Sequence, residues 1–266
     1  MDLRNRRGII TGAGQGIGQA LALEFGAKGG HLLLVGRKEG TLKETALLVQ
    51  TAGGSAEILV QDLSKPDSVD RVASSVQSWD TVDLLVNNAG NVRAGRLEQS
   101  SEADIRSMID VNLTAPLLLT RALLPQLRNS AAGTGSLVLN ISSEIALVGM
   151  PFYAIYAATK SGLASFGESL RRELHGTGVH IATVYPGATD TAMMGTQNAD
   201  WERRSVADVV ADVMSGLAAG EHEINATAQD GREMQQLNAT DPLAVDAAIA
   251  PGLEELEAAV RDHRSI

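Results

Sequence analysis

Apolar positions along the chain fall into short, nearly continuous runs separated by stretches of helical periodicity. The runs cover residues 8–11, 31–35, 57–60, 84–86, 136–141 and 180–185, with a shorter one over 221–226. Several are apolar at successive rather than alternate positions, the pattern of parallel strands covered on both faces. Between them, residues 16–28 place Ile17, Ala20, Leu21 and Phe25 on one helical face and stop at Gly29-Gly30. Ser64-Lys65-Pro66-Asp67 predicts another helix, with a serine cap and proline in its first turn. Residues 101–110 open on a capping-box-like Ser-x-x-Asp, and Pro116 is expected to kink or interrupt the long helix that continues to 128. Repeated β-α-β units of this length predict an α/β fold, a doubly wound parallel sheet with helices on both faces, in a single domain spanning 1–266. The last quarter is less regular. Residues 228–241 are polar and glutamine-rich, a loop or a poor helix, while 251–264 carry Leu253, Leu256 and Val260 on one stripe that should pack on the domain or on a partner subunit.

Composition narrows the function. Against 22 basic residues stand 32 acidic ones, a net charge of −10, which argues against nucleic acid and anionic membrane surfaces as partners. It also weighs mildly against an acidic carrier protein. With no cysteine, disulfides, thiolate zinc sites and thiol nucleophiles are excluded. The N-terminal residues lack an apolar segment of signal-peptide length and no run approaches a membrane span, so a cytoplasmic location is the expectation.

Candidate chemistry begins where the first run meets its helix. Thr11-Gly12-Ala13-Gly14-Gln15-Gly16-Ile17-Gly18 joins strand to helix, the context in which a glycine turn and free helix N-terminal amides receive a pyrophosphate. At the end of the second run, where a carboxylate would pair with the 2′-hydroxyl of NAD, the chain has Gly36, Arg37 and Lys38. Two adjacent cations suit a 2′-phosphate, so NADP(H) is preferred over NAD(H). Asp62 either accepts from an adenine amino group or caps the Ser64 helix. Tyr156 and Lys160 are spaced i, i+4 on one helical face. A neighbouring ammonium is expected to lower the phenol's pKa toward the range useful for proton transfer. Tyr153 lies two turns from Lys160, roughly 10 Å along the axis, and has no such partner.

Taken together, Thr11–Gly18, Asn87-Asn88-Ala89-Gly90, Ser143, Tyr156-x-x-x-Lys160 and Pro186-Gly187-x-x-x-Thr191 resemble the short-chain dehydrogenase/reductase family, in order and approximate spacing, over about residues 5–195. The resemblance implies a Rossmann-like fold and a role for each matching residue. Tyr156 would be the general acid or base, Lys160 would tune it and bind the nicotinamide ribose, and Ser143 would hold the substrate oxygen. Asn112 would support a water relay to the lysine. Gly12, Gly14, Gln15, Gly16, Ile17 and Gly18 would bind the pyrophosphate. Asp62, Leu63, Asn88, Ala89 and Gly90 would line the adenosine side, and Pro186, Gly187, Thr189 and Thr191 would hold the carboxamide end. No metal is needed.

Three departures bear on the substrate. Glu144 follows the serine where many members carry a small residue; it either recognises a polar or cationic substrate group or is a solvated edge charge. The substrate loop, about 192–205, contains Met193 and Met194 and then polar residues to Trp201; Phe152, Tyr153 and Tyr185 would add aromatic walls. The C-terminal extension, about 226–266, lacks the family's Val-Asp-Gly-Gly signature, which leaves the pocket floor and the tetramer packing open. The expected activity is interconversion of a small-to-medium ketone or aldehyde with its alcohol. The alternatives are a 3-oxoacyl carrier-protein reductase of the same fold and a non-catalytic dinucleotide sensor. Helices around 101–128 and 151–175 would make subunit contacts in a homodimer or homotetramer.

Overall fold

The computed structural model describes residues 2–131, 133–196 and 202–265. Seven parallel strands form one sheet: β1 (Arg7–Thr11), β2 (His31–Gly36), β3 (Ser55–Val60), β4 (Leu84–Asn87), β5 (Ser136–Ile141), β6 (Val179–Pro186) and β7 (Glu223–Ala226), in the order β3-β2-β1-β4-β5-β6-β7. Each predicted run is a strand, with ends shifted by at most two residues. Successive side chains go to opposite faces, so Ile10, Leu32, Leu34, Leu137 and Leu139 enter one core and Ile9, Leu33, Val35 and Val138 the other. Helices α1 (Gly16–Ala27) and α2 (Glu39–Thr51) contribute Leu21, Phe25 and Val49 to the first core. The second receives Val69 and Val72 from α3 (Ser68–Ser75). Burial on both faces explains the unbroken apolar runs.

Two local expectations are corrected. Ser64 does not cap a helix: its N–H and hydroxyl donate to the Asp62 carboxylate at 3.0 and 2.8 Å, making a turn, and α3 begins only at Ser68. Pro116 breaks nothing. Helix α4 (Glu102–Ile109), capped by the Ser101 hydroxyl on the Asp104 N–H at 3.1 Å, runs through a π-helical turn (Asp110–Thr114) into α5 (Ala115–Ala131). Pro116 follows directly on the π-helical turn, whose wider hydrogen-bond register accommodates the bond its missing N–H cannot make. The continuous helix Glu102–Ala131 is long and apolar enough to cross a membrane by length and composition, contrary to the sequence expectation, but it spends Leu119, Leu123 and Leu127 on the second core.

Helix α6 (Ala154–Glu173) packs beside α5, and α7 (Val206–Ala219) adds Val209, Val213 and Leu217 to the first core. Residues expected as a loop or poor helix form α8 (Gln229–Thr240); α9 (Pro242–Ile249) and α10 (Leu253–Val260) follow. Asp241 starts α9 by accepting from Ala244 N–H at 3.1 Å, with Pro242 in the first turn. The stripe on α10 buries Val260 against Val92, Ala94, Ile145 and Tyr153 and leaves Leu253 exposed.

Candidate active site

The strand order reverses beside β1, and the C-terminal ends of β1 and β4 part there to leave a crevice. A cavity of about 420 Å3 runs from Arg37 and Lys38 after β2, past the glycine turn, to Asp230 and Met234 on α8. Gly16 opens α1 with φ +57°, a left-handed conformation that a side chain would oppose. Gly12, Gly14, Gln15, Gly16 and Ile17 line the cleft. Gly18 does not: it is buried, and a Cβ there would stand 2.4 Å from the Gly12 carbonyl oxygen and 2.3 Å from the Asn88 amide nitrogen. It keeps α1 tight against the turn instead of meeting a ligand, which corrects its expected place in the phosphate site. The Asn88 amide is likewise spent on the turn, donating to the carbonyls of Thr11 and Gly12 at 2.9 and 3.1 Å. Asn88 itself, Ala89, Gly90, Asp62 and Leu63 line the same end. Burial pushes the Asp62 carboxyl up, but the bonds from Ser64 and the charges of Lys65 and Arg37 outweigh it and hold it low.

Serines 142 and 143 leave β5 in different directions. Ser142 is buried and its hydroxyl donates to the Lys160 carbonyl at 2.9 Å. Ser143 faces the cleft beside the Tyr156 phenol, and its hydroxyl accepts from Ile145 N–H at 3.4 Å. Lys160 is 4% exposed; its ammonium donates to the Ile141 carbonyl at 2.9 Å and lies 5.7 Å from the centroid of the Tyr156 ring. Burial pushes the phenol up to about 12, opposed by the neighbouring Ser143 hydroxyl and aided by Glu144. Burial lowers Lys160 to about 8. The expected lowering of the phenol by its lysine is therefore not what this environment produces: desolvation wins, and the phenol keeps its proton at neutral pH. Asn112 is fully buried, accepting from Asn91 N–H at 2.8 Å and donating to the Asn91 carbonyl and the Thr159 hydroxyl at 2.9 and 3.1 Å. It ties the strand β4 exit to the helix turn that carries Lys160.

At the other end, Pro186, Gly187, Thr189 and Thr191 follow β6 along the cleft wall. Met193, Met194, Tyr153 and Glu144 line it too, joined by Asp230 and Met234, which sequence reasoning missed because α8 had no apolar stripe to mark a face. Glu144 is not a solvated edge charge. Burial and Asp230 raise its carboxyl to about 7, against a backbone bond from Ala188 that lowers it. Tyr153 is buried, with its hydroxyl 2.6 Å from His263 Nδ1. Phe152 and Tyr185 do not line the cleft; Arg96 lies over the Phe152 ring and the Tyr185 hydroxyl donates to Glu223. Residues 197–201, including Trp201, lie outside the described residues. The missing C-terminal signature is replaced by β7 beside β6 and by a tail that brings His263 to the cleft.

The model of the short chain dehydrogenase family matches residues 7–202. The chain belongs to that family. Among relatives of this dehydrogenase, an uncharacterized oxidoreductase of Thermotoga maritima is 32% identical over 191 residues, covering 72% of this chain and 74% of its own. A short-chain dehydrogenase from Sphingobium yanoikuyae, solved in complex with NADPH, superposes with a TM-score of 0.79 at 28% identity, covering 91% of this chain and 96% of its own. The fold is shared as well by a 3-ketoacyl-(acyl-carrier-protein) reductase from Brucella melitensis complexed with NADH, with a TM-score of 0.75 at 24% identity over 86% of this chain and 99% of that one. This dehydrogenase is thus an oxidoreductase of alcohol and carbonyl groups that uses a nicotinamide dinucleotide.

Proposed function

We propose that the protein is an NADP(H)-preferring carbonyl reductase acting on a small-to-medium ketone or aldehyde, with Tyr156 as general acid. The observation that carries this reading is the convergence of Ser143, Tyr156 and a buried Lys160 on one wall, at the far end of a cleft that starts at a glycine turn and two cations. The glycine turn and the exposed Arg37 and Lys38 fit a dinucleotide with a 2′-phosphate. When bound, that cofactor supplies the hydride. Ser143 and Tyr156 donate to the carbonyl oxygen, Tyr156 gives up its phenolic proton as charge develops there, and the Lys160 ammonium stabilises the phenolate that remains. A phenol near 12 is about 10⁻⁵ ionised at pH 7, so the acid role in reduction is better served than the base role in oxidation. Met193, Met194 and Met234 receive the apolar part of the substrate, and Glu144 receives a polar or cationic group.

A panel of ketones, aldehydes and alcohols, with a carrier-linked 3-oxoacyl substrate included, is assayed with NADPH and NADH in parallel. NADPH-linked reduction of free carbonyls is expected. Tyr156→Phe should cut kcat by roughly 10²–10⁴ while NADPH affinity stays within twofold of wild type. Retained turnover would overturn the assignment.

A further inference from the structure

The C-terminal tail does more than cover the cleft. After α10, His263 N–H donates to the Val260 carbonyl at 2.8 Å, and Ala94 N–H donates to the His263 carbonyl at 3.1 Å. Ser265 and Val92 exchange two bonds, Ser265 N–H to the Val92 carbonyl at 3.1 Å and Val92 N–H to the Ser265 hydroxyl at 2.9 Å. Arg96 grips Glu257 with two bonds of 2.7 and 2.6 Å. These contacts fix the backbone on which His263 sits, and its side chain is 3% exposed.

The imidazole touches two elements of the site at once. Nε2 is 3.0 Å from the Met193 carbonyl, in the short helical turn Ala192–Thr196 of the substrate loop. A carbonyl can only accept, so Nε2 carries the hydrogen. In a neutral ring Nδ1 is then the acceptor, and the hydroxyl of Tyr153, 2.6 Å away, donates to it. Tyr153 is the residue from which α6 starts, and its ring meets that of Tyr156 edge-on with centroids 6.5 Å apart. We propose that His263 is a positioning residue that latches the turn 192–196 to the start of the catalytic helix, so that the tail sets how firmly Met193 is held against the cleft. The inference rests on the reading of 192–196 as part of the substrate loop and adds its control element.

Both nitrogens are committed, so each half of the latch has its own conservative variant. His263→Asn keeps an acceptor where Nδ1 stood and loses the bond to Met193. His263→Gln keeps a donor near Nε2 and loses the bond from Tyr153. Tyr153→Phe removes the same bond from the other side with the ring retained. Hydrogen exchange of the NADPH-bound protein reads the loop without any turnover. The Met194 amide, which donates to the Thr191 carbonyl at 3.0 Å, reports its opening. Exchange over 192–196 should speed up roughly tenfold in His263→Asn, the loss of about one buried hydrogen bond, and much less in His263→Gln. With a carbonyl the panel shows to be turned over, substrate KM should rise about as much in His263→Asn while kcat holds within twofold. His263→Gln and Tyr153→Phe should each loosen the start of α6, and their double variant should be no worse than either alone. Protonation of His263 works against burial and against nearby Arg203, and it adds a hydrogen on the nitrogen that faces Tyr153. Because burial holds the imidazole below its ordinary range, KM in the wild type should climb only in acid well under that range, and that acid rise should vanish in His263→Gln. Unchanged exchange over 192–196 in His263→Asn would overturn the latch even if the enzyme reduces ketones. Faster exchange in a protein with no turnover on the panel would instead leave the latch standing and overturn the carbonyl-reductase reading.

Discussion

Glu144 carries an electrostatic cost that one substitution can remove. Its carboxylate fits between two backbone segments that only glycine allows so near, since a Cβ would lie 3.0 Å from Oε2 at Gly187 and 2.8 Å at Gly231. Burial comes first and Asp230 second in raising the group from 4.5 to about 7, and the Ala188 N–H offsets part of this. A gap of that size disfavours the ionised form by about 3 kcal/mol. The sign follows from proton counting. Between pH 4.5 and about 7 the folded protein holds a proton that the unfolded chain has released, so stability falls as pH rises through this window, and the full cost is present above it. Glu144→Gln keeps the shape and an oxygen for Ala188 but has no charge to bury. The variant should match wild type at pH 4.5 and melt higher at pH 8. The limit is about 3 kcal/mol, or roughly 6–12 °C at about 2–4 °C per kcal/mol, and screening at a half-buried site reduces it to a few degrees. Differential scanning fluorimetry across pH 4.5–8.5 at constant ionic strength reads the difference directly. A melting difference that stays flat with pH would refute the burial argument, and one that shrinks toward pH 8 would reverse its sign.

Two further outcomes test the cofactor end. Removing both cations in Arg37→Ala/Lys38→Ala should weaken NADPH about tenfold or more, the loss of charge-assisted bonds to a 2′-phosphate, and leave NADH affinity unchanged in fluorescence titration; equal losses for both would refute the NADP preference. Gly18→Ala should destabilise by about 1–3 kcal/mol and weaken both cofactors, because its Cβ collides with the turn backbone. Gly40→Ala, with nothing within 4 Å of the added Cβ, should be neutral or raise Tm in the same melting assay.

The sheet was legible because its signal is local. A strand buried on both faces is apolar at successive positions, so 84–86 and the Leu137-Val138-Leu139 stretch of 136–141 announce themselves without knowledge of their neighbours. The i, i+4 pairing of Tyr156 with Lys160 is equally local, since helix geometry alone puts both on one face. Ser143 needed the family's spacing, and the structure shows the physical difference from Ser142: one hydroxyl faces the phenol, the other is consumed by a backbone carbonyl. What failed required three dimensions. Gly18 sits inside a phosphate-binding motif yet holds up the turn from behind, and a pattern of letters does not distinguish the front of a cradle from its back. The phenol's direction of shift was missed for the same reason: spacing reports the neighbouring cation but not the burial that outweighs it.

The C-terminal quarter shows why sequence distance hides function. His263 stands 110 residues from Tyr153 and 70 from Met193, and nothing in its own neighbourhood marks it among the five histidines. His180 and His222 stack on each other with centroids 4.3 Å apart and bond to the backbone carbonyls of Glu221 and Ile181, away from the cleft. What separates His263 is that its two ring nitrogens bridge Tyr153 and Met193, both of which line the cleft. That also accounts for Tyr153. Beside Tyr156 it reads as a spare aromatic wall, but its hydroxyl is committed to the His263 imidazole. The two tyrosines differ by what each hydroxyl faces, substrate space for one and the tail for the other. A tail that takes up the Tyr153 hydroxyl leaves Tyr156 as the phenol that faces the cleft beside Ser143.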